Sequence, residues 1–184
     1  MAAKQETYAI EIAGVKRELV KFEVAPGVTI AILNILGDTE LVQACAKALA
    51  EKLESVDYDA LVTPEAKSIP IAHALSVETK KPYVVLRKNY KAYMGDAIEA
   101  ETVSITTGKP QTLFLDAKDR ALVKGKKVVL VDDVVSTGST QQAMRAVMDK
   151  AGAQVAAEAA ILTEGDPGKW EGFIALGHLP VWVD

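Results

Sequence analysis

The sequence predicts an α/β fold in which a central, mostly parallel sheet is flanked by helices. Short apolar runs at 58–62, 82–86, 128–131 and 155–163 have the length and composition of strands buried on both faces. Stretches with helical spacing and capping residues lie between them. Polar segments rich in glycine, hydroxyl or cationic side chains follow the strand ends, where open α/β sheets gather their ligands. At 184 residues the chain reads as one domain, 1–184, large enough to bury a substantial core.

The elements follow in order. Residues 7–24 alternate loosely around Gly14 and predict two strands joined by a turn, a small antiparallel unit outside the main sheet. Pro26 and Gly27 mark a turn, and 30–36 is strongly apolar. Asp38 or Thr39 caps a helix that runs to about Leu53, with Leu41, Cys45, Ala48 and Leu49 on one face. The strand at 58–62 passes through the loop 63–68 into a helix ending near Thr79. After the strand at 82–86 come Arg87, Lys88 and Lys91, three cations in five residues, a local charge suited to an anion. From 93 to 111 there is little apolar period, and a long segment of that kind in a compact domain is functional or mobile. Residues 112–115 read as a strand, 116–120 as a turn, 141–150 as a helix stopped by Gly152, and 155–163 as a further strand. The tail places Trp170, Phe173, His178 and Trp182 together as an aromatic cluster. His73 on a helix face and His178 in a turn are too isolated for a metal site or a triad.

Composition narrows the function. Apolar residues make up 49% and charged residues 25%, with a formal charge of −4 and a pI of about 5.3, a balance that argues against general nucleic-acid binding or adhesion to an acidic membrane. The single cysteine, Cys45, cannot form an internal disulfide and lies in an alanine-rich helical stretch, so it reads as packing in a cytoplasmic protein. No membrane span or signal peptide is expected.

The most informative stretch is 128–140, VVLVDDVVSTGST. An apolar strand ends in two aspartates, and a loop of small hydroxyl residues and glycine then opens a helix. Unpaired N–H groups and the helix dipole at such an N-terminus bind a phosphate without a lysine. Gly138 lets the backbone approach the anion, and Ser136, Thr137, Ser139 and Thr140 add hydroxyl donors. Ionised Asp132 and Asp133 accept hydrogen bonds from adjacent sugar hydroxyls or from Mg²⁺-bound water. The pattern is neither GxxxxGK[ST] nor GxGxxG, and it suits a sugar carrying a phosphate.

This stretch resembles the phosphoribosyl diphosphate signature of the type I phosphoribosyltransferases, and the chain is most similar to the adenine subgroup. The resemblance implies a hood at about 1–36 over the base, a core at about 37–184, and a flexible catalytic loop at 93–111 that folds over the substrates as two strands and excludes water. It implies that Asp132 and Asp133 hold the ribose hydroxyls and that 136–140 holds the 5-phosphate. It makes 63–68 the diphosphate loop, with Glu65, Ala66 and Ser68 binding and Lys67 standing where the subgroup has arginine. Arg87, Lys88 and Lys91 match the subgroup's cations near the diphosphate. Two departures stand out: Ile30 occupies the place of the aromatic that stacks on the base, and Thr106 and Thr107 that of a glutamate and an aromatic. Glu99 or Glu101 then remains as a general acid or base, or the base differs.

What the resemblance implies is transfer of a phosphoribosyl group from 5-phosphoribosyl 1-diphosphate to a purine, adenine first, in purine salvage. Mg²⁺ would be bound through the substrate's diphosphate and ribose hydroxyls, with no protein-only metal site. The expected enzyme is a cytoplasmic homodimer whose partners are these small molecules. The alternatives are an enzyme of the same fold acting on xanthine, hypoxanthine or another acceptor, and a non-catalytic sensor of phosphoribosyl diphosphate. The tail aromatics either pack, make a dimer contact or line the base pocket.

Overall fold

The computed structural model describes residues 6–103 and 110–183. Its centre is a five-stranded, all-parallel sheet built from β4 (Ala60–Pro64), β5 (Tyr83–Leu86), β8 (Lys127–Val135), β9 (Gln154–Glu164) and β10 (Ile174–Leu179), in the order β10-β9-β8-β4-β5. A second, four-stranded antiparallel sheet joins β1 (Thr7–Ile12), β2 (Val15–Ala25) and β3 (Val28–Ile32) to β11 (Val181–Val183), in the order β1-β2-β3-β11. The segment read as the hood, about 1–36, supplies three strands of this sheet, and the fourth comes from residues 181–183, with Val181 paired to Ile30. A two-stranded antiparallel ribbon, β6 (Ile98–Val103) and β7 (Pro110–Leu115), occupies much of the segment that lacks apolar period. Thr106 and Thr107 lie outside the described residues, whereas Glu99 and Glu101 sit on the exposed side of β6, opposite buried Ala100.

Helices cover the central sheet on both faces. On one face α1 (Thr39–Leu53) and α2 (Ile69–Thr79) pack with the hood around Leu49, Leu53, Leu61, Leu75, Val129 and Val131. On the other, α4 (Ser139–Ala151), the β6–β7 ribbon and the short α3 (Arg120–Val123) pack around Val62, Leu113, Val128, Leu130, Met144 and Val147. Successive side chains of a strand point to opposite faces, so Val128 and Leu130 go to the α4 side and Val129 and Val131 to the α1–α2 side. Burial on both faces is why the strand reads as a continuous apolar run.

Local chemistry sets the helix ends. Asp38 accepts a hydrogen bond from the Leu41 amide and caps α1. The same carboxylate takes both arms of Arg17 from β2, at 2.7 and 2.8 Å, which fastens the hood to the helix and holds the Asp38 carboxyl below the usual aspartate range. Gly152 closes α4 at φ 72°.

Two readings of the tail change. Trp170 and Phe173 meet edge to face at 5.9 Å, but Trp182 stands in the hood, 5.3 Å from Tyr8 and under the Lys21 ammonium, so the aromatics form two separate groups. His178 belongs to β10 rather than to a turn; its ring is 2.9 Å from the Thr163 hydroxyl and 3.0 Å from the Gly165 carbonyl. Strand pairing decided both, of β11 with the distant β3 and of β10 with the preceding β9, and spacing within the tail carries no trace of it.

Leu49 has no solvent exposure and sits where α1 meets the sheet and hood. Leu49→Ala is expected to lower the unfolding free energy by about 2–5 kcal/mol with little change in the denaturant slope, read from urea unfolding.

Candidate active site

The carboxyl ends of the parallel strands share one edge, and the loops leaving β4 and β8 meet there. A cavity of about 410 Å³ opens between them, lined by Glu65, Ala66, Lys67, Ser68, Asp132 and Asp133, and also by Leu36, Lys88 and Thr140. Most of the sequence-predicted residues thus come together. Arg87 and Lys91 do not line this cavity, and Thr137 and Gly138 border a different one, of about 550 Å³, on the outer side of their loop.

Strand alternation sends the paired acids in opposite directions. Asp132 continues the row of Val128 and Leu130 toward α4, where its Oδ2 accepts from Gln141 Nε2 at 2.9 Å and its Oδ1 from the Asp133 amide at 2.9 Å. Asp133 continues the row of Val129 and Val131, and its Oδ2 lies 2.9 Å from Lys67 Nζ. Both carboxylates are buried. Burial first, and then the neighbouring Asp133 charge, pushes the Asp132 carboxyl well above the usual aspartate range.

Lys67 does more than balance a charge. Its ammonium also donates to the Leu33 carbonyl at 3.0 Å, just beyond β3, so one side chain links the loop before α2, the end of β8 and the hood. The peptide between Glu65 and Ala66 is cis, and Ser68 Oγ donates to the Pro64 carbonyl at 2.8 Å. Glu65 is held by the end of β5: its Oε2 accepts from the Lys88 amide at 2.9 Å and its Oε1 lies 3.1 Å from Arg87 Nε. The Lys88 amide, and after it Arg87, keep the Glu65 carboxyl below the usual range. Arg87 is thereby paired within the protein, and it also reaches the Tyr93 hydroxyl at 3.3 Å, while Lys88 and Lys91 are exposed.

The loop after β8 turns through Gly138 at φ 83°, a left-handed conformation that favours glycine, and α4 starts at Ser139. Thr137 Oγ1 and Ser139 Oγ are 3.0 Å apart, and Thr140 faces the cavity. The N-terminus of a 13-residue helix therefore points at the edge where the two acids stand. Among the described residues no group of three or more His, Cys, Asp or Glu is arranged to hold a metal ion.

Three contributors were missed in the sequence. Gln141 had a signal, as a hydrogen-bonding residue in the first turn after the loop. Glu164 ends β9 at the same edge; burial raises its carboxyl above the usual range, and the nearby Ser136 hydroxyl opposes that rise. The Leu33 carbonyl carries no side-chain signal at all.

This arrangement can hold an anion at the helix N-terminus, accept hydrogen bonds at the acid pair and meet further negative charge with Lys67 and Lys88. Residues 32–171 match the family model described as the phosphoribosyl transferase domain. Over 126 residues the chain is 32% identical to an adenine phosphoribosyltransferase of Thermosipho africanus, covering 68% of this chain and 71% of that one. Over 120 residues it is 36% identical to a hypoxanthine/guanine phosphoribosyltransferase of Methanothermococcus okinawensis, covering 65% of this chain and 61% of that one. In three dimensions it resembles the adenine phosphoribosyltransferase of Giardia lamblia solved with 9-deazaadenine, with a TM-score of 0.68 at 16% identity over 94% of this chain and 93% of that one.

The buried acid pair makes the ligand-free protein sensitive to pH. Because folding raises the Asp132 pKa, its contribution to stability is complete below the unfolded aspartate value and is lost as the pH rises through the folded one. The midpoint of thermal unfolding is expected to fall as the pH is raised from 5 to 8, and Asp132→Asn to flatten that slope.

Proposed function

The chain belongs to the phosphoribosyl transferase family, and from that premise we propose that it moves a 5-phosphoribosyl group from 5-phosphoribosyl 1-diphosphate to a ring nitrogen of a purine. Adenine is the first acceptor, and the products are the nucleoside monophosphate and diphosphate, a salvage reaction. The observation that carries this reading is the cavity in which Asp132, Asp133, Lys67, Lys88 and Thr140 converge beside a helix N-terminus.

In this reading the amides and hydroxyls of Ser136, Thr137, Gly138, Ser139 and Thr140 hold the 5-phosphate. Asp132 and Asp133 accept from the ribose hydroxyls, and Glu65, Ala66, Lys67 and Ser68 form the diphosphate pocket. Two carboxylates fall short of a protein-only cage, which fits a Mg²⁺ that arrives with the substrate, its bound water hydrogen-bonded by Asp132 and Asp133. When bound, it would offset charge on the diphosphate. The bond from C1 of the ribose to the diphosphate oxygen breaks, with the electron pair leaving on oxygen. A base nitrogen forms the new bond to C1 and gives up its proton. Lys67 and Lys88 favour that charge movement by position and electrostatics, Lys91 adds positive charge from outside the cavity, and Arg87 acts through Glu65. The same reading makes the protein a cytoplasmic homodimer.

A 6-oxopurine is the second reading, supported by the likeness to the hypoxanthine/guanine enzyme of M. okinawensis and by Ile30 in place of a stacking aromatic. A panel of adenine, hypoxanthine, guanine, xanthine and pyrimidine bases, each mixed with protein, Mg²⁺ and phosphoribosyl diphosphate, separates them. Diphosphate release is expected with at least one purine; release with none would favour a sensor over an enzyme. Replacing both acids, Asp132→Asn with Asp133→Asn, is expected to weaken phosphoribosyl diphosphate binding by at least roughly 100-fold, from two charged hydrogen bonds lost. Calorimetry with Mg²⁺ returning wild-type affinity would remove the ribose role of the pair.

A further inference from the structure

Residues 167–170 form a short turn after β9, and its last residue, Trp170, lies against the outer side of the loop that follows β8. A Cβ built on Gly138 would meet Trp170 Cη2 at 3.4 Å and Cζ3 at 3.7 Å. These are ordinary contact distances, so the indole lies just beyond the side of Gly138 that a side chain would occupy, and it is the φ of 83° that disfavours one there. The indole is itself fixed: Nε1 donates to the Glu164 carbonyl at 2.9 Å, and Phe173 meets its ring edge to face at 5.9 Å. The Glu164 carboxyl also faces the same loop, near enough to the Ser136 hydroxyl for that group to oppose the rise that burial causes. The end of β9 therefore backs the loop at Gly138 through a ring anchored on the Glu164 carbonyl.

We propose that Trp170 is a positioning residue for the 136–140 loop, a back wall against Gly138 that keeps the loop amides aimed at the phosphate group of a phosphorylated sugar. The assignment rests on the phosphate-binding role proposed for that loop. A loop with an open outer side has room to recoil from a bound anion, and displacement of about an ångström is enough to lose most of the benefit of fixed donors. The ring takes up the part of that room directly beside Gly138, at the rim of the cavity of about 550 Å³ that both residues line. Chain order hides the device, because Trp170 and Gly138 are brought together only by the parallel pairing of β8 with β9.

The test uses ribose 5-phosphate as the probe, which reports on the loop without requiring transfer chemistry. The chain has two tryptophans, so W182F leaves Trp170 as the single indole emitter. Ribose 5-phosphate is expected to shift the emission of the W182F protein saturably, with the Kd that calorimetry gives. W170A is expected to raise that Kd, and the KM for phosphoribosyl diphosphate, by about tenfold or more while leaving the KM for the purine unchanged. W170F keeps a ring against Gly138 but cannot donate to the Glu164 carbonyl, so its loss should be smaller. A folded W170A protein with wild-type affinity for ribose 5-phosphate would overturn the proposal, as would Trp170 emission blind to the ligand. Should W170A fail to fold, W170F and the emission titration decide. Wild-type protein that binds ribose 5-phosphate but transfers to no base would overturn the transferase reading and leave this one standing. Wild-type protein that does not bind the probe would overturn both.

Discussion

Two adjacent carboxylates at the buried end of a strand cannot share one environment, and the site depends on how that conflict is resolved. The strand's own alternation turns Asp132 toward α4 and Asp133 toward the loop before α2. Each acid then meets a different partner, a neutral amide for one and an ammonium for the other. A proton on Asp132 lets both remain buried without two uncompensated charges. The pair is thus held ready to accept hydrogen bonds, at a cost in stability that a ligand supplying donors or positive charge would offset.

Lys67 extends that resolution beyond the acids. Its contacts with Asp133 and the Leu33 carbonyl tie three segments that the chain order keeps far apart. Glu65, two residues earlier, ties the same loop to the end of β5 through the Lys88 amide and Arg87. The cations around the cavity consequently differ in kind. Arg87 is committed to the scaffold, Lys67 is shared between scaffold and cavity, and Lys88 is exposed at the lining. Charge near an edge, counted along the sequence, does not distinguish these states; the distribution of partners does.

The core strands and helices were legible because each is specified locally. The Asp38 cap, the apolar runs of β4, β5 and β8, and Gly152 at the end of α4 all announce themselves within a few residues. The hood was half legible: β1 and β2 are neighbours joined by a turn, but β11 is three residues long and gains its identity only from pairing with β3. Of the ribbon, β7 was legible as the strand 112–115, whereas β6 was hidden from the apolar pattern, since it buries Ala100 and exposes Glu99 and Glu101. Within the site, the acids, the loop after them and Lys67 could be named from residue type and position. Glu164 and Trp170 could not, because their relation to Ser136 and Gly138 exists only across β8 and β9. Thr106 and Thr107, which bear on the choice of base, lie outside the described residues.

The antiparallel pairing of β3 with β11 also bears on the order in which the molecule is made. Ile30 and Val181 are about 150 residues apart, so the hood sheet stays one strand short until the chain has been synthesised past Val183. Contacts that close so long a loop are slow to form and are rewarded late. Until then β3 presents an open edge, with only β2 at its side. The core can assemble from neighbouring strands and helices while this edge waits, which makes completion of the hood a late event in folding.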